Sequence, residues 1–86
     1  MPQRADIQRI FAKFAGQKVT VQDAVPDPVD PVVREMSTEA ERNGLRLRLI
    51  WPGSPLSKEW VTNRVNVHLE QGADGAWRVS PRIGIG

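Results

Sequence analysis

The chain has no cysteine and no tyrosine, one histidine and only two phenylalanines among 86 residues. Without cysteine no disulfide can staple it, so packing and hydrogen bonds must supply its stiffness. A lone histidine, His68, leaves no ligand cluster of the kind zinc requires, and no metal or other cofactor is expected. No apolar run approaches the roughly twenty residues of a membrane-spanning helix. The opening MPQRADIQRIF lacks the uninterrupted apolar core of a signal peptide. The expectation is a chain with no membrane partner, cytoplasmic as it stands unless a leader has been removed.

The groups that carry catalysis are also scarce. Ser54 and Ser57 have no base and orienting carboxylate at a known motif spacing. His68 falls on the polar face of a strand and reads as a surface residue. Gly84 and Gly86 have no helix after them, so they make no phosphate cradle. The chain therefore reads as a non-enzyme. Its 12 basic and 10 acidic residues leave a net charge of +2, with both signs interspersed along the sequence. That pattern lacks the basic stripe of a nucleic-acid binder, and no nucleic-acid partner is expected.

What is present fits one small globule: 40% apolar and 26% charged residues, with length for a single core. Ile7, Ile10, Phe11 and Phe14 recur at helical spacing, with Asp6 placed to cap the helix and Gly16 to end it. Val19 to Val21 suggests a short edge strand. Pro26, Pro28 and Pro31 then punctuate an extended, semi-rigid connector. Asp30 before Pro31 is a strong helix start, and Val32, Val33, Met36 and Ala40 form the buried face of the main helix, which Asn43 and Gly44 end.

From Leu45 the period changes to two. Leu45, Leu47, Leu49 and Trp51 alternate with Arg46, Arg48 and Ile50, the arginines reading as a solvated face. A second strand alternates Val65, Val67 and Leu69 with Arg64, Asn66, His68 and Glu70. Asp74-Gly75 turns the chain, and Trp77 and Val79 mark a third strand. Between the first two strands lies an irregular stretch, about residues 52–63, that contains Leu56, Trp60 and Val61. Loops this long in small domains are commonly functional. With its prolines and apolar residues, this one reads as a rigid segment offered to another protein.

The residues around that stretch carry a resemblance. LRLIWPGS leads in, the loop and the strand after it follow as PLSKEWVTNRVNVHLE, Asp74-Gly75 makes a turn, and Pro81-Arg82-Ile83-Gly84 stands near the end. This order resembles the potato inhibitor I family of barley and leech (eglin) serine-protease inhibitors, and small bacterial peptidase inhibitors of related sequence. In that family an aromatic follows the acidic residue just past the scissile bond, then an Asp/Asn-Arg-Val step enters a strand. Trp60 after Glu59, and Asn63-Arg64-Val65, match it. The likeness spans Leu45 to Gly84 and fades before it. Asn66 departs from the arginine of plant and leech members, whereas bacterial relatives tend to carry asparagine.

The resemblance implies an α+β fold, one main helix on a small mixed β-sheet with an exposed protease-binding loop, plus an extra N-terminal helix. The strands on either side of the loop would run parallel. It implies one inhibitor-like domain over 1–86, with the helix and proline-rich connector in 1–29 and the core in 30–86. Pro55, Leu56, Ser57, Lys58, Glu59, Trp60 and Val61 would form the reactive loop. Lys58 would enter the specificity pocket, and Lys58–Glu59 would be the scissile bond. Arg64, Asn66 and Arg82 would support the loop from beneath. The implied function is reversible, substrate-like inhibition of a trypsin-like or subtilisin-like serine protease by a monomer. The alternative is a non-inhibitory protein-binding module on the same scaffold.

Overall fold

A computed structural model describes residues 4–23, 25–54 and 63–85. The elements in chain order are α1 (Arg4–Ala12), β1 (Lys18–Val19), β2 (Val21–Gln22), β3 (Val25–Pro26), α2 (Pro31–Arg42), β4 (Arg46–Ile50), β5 (Arg64–Gln71) and β6 (Trp77–Ile85). Four strands form one sheet in the order β1-β6-β5-β4, and β2 with β3 forms a second, two-stranded ribbon. β4 and β5 run parallel while β5–β6 and β1–β6 are antiparallel, so the sheet is mixed. The fold is α+β, with helices on a mixed sheet as expected.

The alternation of β4 and β5 decides which side of the sheet the helices cover. Leu47 pairs with Val65 and Leu49 with Val67, and Val65 and Val67 are fully buried. Those residues face α1 and α2. Met36 and Ala40 of α2 and Ile7 and Phe11 of α1 meet them in one cluster, together with Phe14 and Val79. At about 25 cal/mol per Å² of apolar surface, a single cluster of this kind must supply most of the stability of a disulfide-free domain.

Helix α1 begins at Arg4, so Asp6 sits inside the first turn rather than capping it. An acidic residue there still favours the helix, because it lies near the positive end of the helix dipole. Phe14 lies just past the helix, and its ring centroid is 5.7 Å from that of Phe11. Gly16 adopts φ +81°, a conformation that favours glycine, and its N–H donates to the Val79 carbonyl at 2.7 Å. The chain leaving α1 is thereby fastened to β6.

Further sequence expectations need correction. The Val19–Val21 strand is broken in two: Lys18–Val19 pairs with β6, and Val21–Gln22 pairs with Val25–Pro26. The proline-rich connector thus starts as half of a small ribbon rather than an extended tether. The final strand is longer than Trp77 and Val79 suggest, running through Pro81 to Ile85. Pro81 is tolerated because the β5–β6 register shifts between Val67 and Leu69, where an N–H is not needed for the ladder.

Candidate functional site

The site begins where β4 ends. Trp51, Pro52, Gly53 and Ser54 make a tight turn in which the Ser54 N–H donates to the Trp51 carbonyl at 2.9 Å. Gly53 has φ +88°, which suits the third position of a Pro-Gly turn. The Ser54 hydroxyl then accepts the Trp51 N–H at 3.2 Å, giving the turn a second lock. Proline, glycine and serine each contribute a distinct element: a fixed φ, a positive φ and a side-chain acceptor.

The other end of the loop is fixed beside the start of β4. The Arg46 N–H donates to the Asn63 carbonyl at 2.7 Å, and Arg46 stands in register with Arg64. The connection therefore leaves one end of β4 and returns at the other, as a parallel pair requires. Pro55, Leu56, Ser57, Lys58, Glu59, Trp60 and Val61, the expected reactive loop, lie outside the described residues.

The three expected supports are described. Arg64 opens β5 and Asn66 follows two residues on, so both project from the sheet face opposite the helices. Each is half-buried, with Arg64 Nε and Asn66 Oδ1 shielded from solvent. Both residues are engaged rather than free. Arg82 lies on the same face beyond the register shift, where its own N–H donates to the Ser80 hydroxyl at 3.2 Å. Its side chain is exposed and makes no ion pair among the described residues. Strand geometry thus brings Arg64 and Asn66 together on one strand and places Arg82 farther along, beside His68.

This face gathers charge that looks dispersed in the sequence. Arg46 pairs with Arg64, Arg48 with Asn66, and Ile50 with His68. Period two carries the intervening apolar residues to the other side, so arginines from separate strands share one surface. Glu70, at the far end of β5, is an acidic residue on this face. Arg78 is committed elsewhere: it donates to both Asp74 oxygens, at 3.1 and 2.9 Å, across the β5–β6 turn. Those hydrogen bonds hold the Asp74 carboxyl well below its usual range and raise the Arg78 guanidinium above its own.

Ile50, Trp51, Pro52, His68, Ser80 and Arg82 help to line a shallow groove on this side. Among the described residues no cluster of His, Asp or Glu could hold a metal ion. None of the described helices is long and apolar enough to cross a membrane. Sequence reasoning places Trp51–Ser54 at the entrance to the loop and picks out Arg64 and Arg82 as its supports, but it reads Arg46 and Arg48 as a solvated face and does not join the arginines on one surface. The Pro-Gly pair is legible as a turn, whereas the face needs the strand register. Comparison with protein-family models, curated proteins and solved structures finds no significant match.

Proposed function

We propose that this chain is a reversible, substrate-like inhibitor of a trypsin-like or subtilisin-like serine protease, with Lys58–Glu59 as the scissile bond. The observation that carries this reading is the parallel β4–β5 pair with both ends of its connection fastened, at Trp51–Ser54 and at Asn63–Arg46. The connection must return along β4, about 17 Å for its five residues, and a chain from Ser54 to Asn63 can reach about 30 Å. It has slack to present a convex segment, and its anchored ends reduce the ordering entropy lost on binding.

On this reading the segment before Lys58 pairs with the enzyme as an extended strand. Backbone hydrogen bonds supply affinity and alternate side chains supply selectivity. The lysine ammonium reaches a carboxylate at the base of a deep pocket. Arg64 and Asn66 brace the segment from the sheet, with Arg64 offering a planar fork of donors. Arg82 adds positive potential beneath it. After acylation the new amine stays next to the acyl-enzyme, held by the domain, and religation outpaces hydrolysis.

Titration against trypsin and subtilisin tests this directly. The expected result is a stoichiometric loss of activity by at least one enzyme, with the inhibitor recovered intact. Rapid, complete digestion at Lys58 without inhibition contradicts it and leaves a binding module on the same scaffold.

A further inference from the structure

β4 is the last strand of the sheet, with β5 as its sheet partner. The Arg46 N–H points to the β5 side, where it meets the carbonyl of Asn63, the residue before β5. Alternation along a parallel strand then turns the backbone groups of Arg46, Arg48 and Ile50 toward β5, and those of Leu47 and Leu49 outward. The outer edge is closed at both ends. The Leu45 N–H donates to the Ala40 carbonyl at 2.8 Å, and the Trp51 N–H is taken by the Ser54 hydroxyl. Between these stops, Leu47 and Leu49 present a short ladder of donors and acceptors to an incoming strand.

The two sides of that edge differ in chemistry. On the helix side is an apolar groove of about 280 Å³, lined by Val25, Pro26, Val33, Leu47, Leu49 and Trp51. Val25 is 54% exposed, and Val29, just past the groove residue Pro28, is 68% exposed. Among the described residues these are the large apolar side chains left open to water. On the opposite side stand Arg46 and Arg48, with no acidic partner among the described residues.

We propose that the outer edge of β4 docks an extended segment of a partner protein in which acidic and apolar residues alternate. Added as a strand, such a segment bonds to Leu47 and Leu49 through its backbone. Its apolar side chains enter the Val25–Trp51 groove, and its carboxylates meet Arg46 and Arg48. A second copy of this chain is a poor occupant, since full-length antiparallel pairing of β4 with itself sets Arg48 against Arg48. The proposal makes no use of Lys58 and stands apart from the protease reading.

The test uses the full chain and a fluorescein-labelled peptide of alternating glutamate and valine, about eight residues long. The expected result is saturable binding that weakens with salt and slows amide exchange at Leu47 and Leu49 by about tenfold, while Val65 and Val67 are unaffected. Arg48→Glu should weaken this peptide by roughly tenfold and transfer preference to an alternating lysine-valine peptide. Lys58→Ala should leave binding unchanged. No binding, equal binding of the lysine-valine peptide by the native chain, or binding without protection of Leu47 and Leu49 overturns the proposal.

Discussion

Asp30 joins Thr20 to the start of α2: its Oδ2 accepts the Thr20 N–H at 2.9 Å while its Oδ1 accepts the Val32 N–H at 2.9 Å. One carboxylate, 7% exposed, therefore caps the main helix and fastens the segment after β1 to it. Burial alone raises its pKa, but the hydrogen bonds from Thr20, Val32 and Val33 outweigh burial and hold it below the usual value.

Asp30→Ala should cost about 1–2 kcal/mol and lower Tm by about 5–10 °C, from lost capping. Asp30→Asn should lose less, since it keeps an acceptor. The carboxyl's folded pKa is depressed, so its stabilisation is complete above the unfolded value near 3.8 and is lost as pH falls through the lower folded value. Urea midpoints of native and Asp30→Ala protein should therefore converge as pH is lowered from about 5 toward 2. A gap that widens on acidification contradicts this.

Phe11 is fully buried and shares one cluster with Val65, Val67 and Met36. Phe11→Ala should cost about 3–5 kcal/mol, a large part of the 5–15 kcal/mol typical of a domain. Urea denaturation followed by far-ultraviolet circular dichroism reads this out. An unchanged midpoint would mean that α1 is an appendage to the sheet rather than part of its core.

Much of this architecture was readable from periodicity. The stripe of α2, its Asp30-Pro31 start and the alternation of β4 and β5 rest on local patterns, and each agrees closely with the element found. What stayed hidden depended on partners distant in sequence. Pro81 argues against a strand until the register shift opposite it is known. Val19, Thr20 and Val21 look like one strand, but β6 claims Val19 and β3 claims Val21. Arg64 and Asn66 were legible as a pair on one strand face. Their union with Arg46 and Arg48 required the β4–β5 register, which no local pattern encodes.

Gly53 has φ +88° with open space around its Cβ position among the described residues, so Gly53→Ala tests backbone strain. The substitution should cost about 1–2 kcal/mol in the left-handed region. Ser54→Ala should remove the lock on the Trp51 N–H. On the inhibitor reading, each should weaken inhibition by about tenfold, because the loop loses a fixed point of departure. Inhibition constants identical to native in both variants would show that this turn does not brace the loop.

Arg64 and Arg82 should behave differently. Arg64 is half-buried and engaged, whereas the Arg82 side chain is exposed. Arg64→Ala should weaken inhibition by roughly a hundredfold, the equivalent of about 2–3 kcal/mol of charge-assisted hydrogen bonding, and speed cleavage of the loop. Arg82→Ala should weaken it by less than about tenfold. If inhibition survives loss of Arg64, the brace lies elsewhere.

The central claim is that the domain holds Lys58–Glu59 in a pose that an enzyme can cut but not release. Incubation with a trace of trypsin, followed by mass spectrometry, measures the ratio of intact to Lys58-cleaved chain over time. The account predicts a slow approach to one stable mixture, reached alike from intact and from cleaved starting material. Complete one-way cleavage at Lys58, with no resynthesis from the cleaved form, would contradict it.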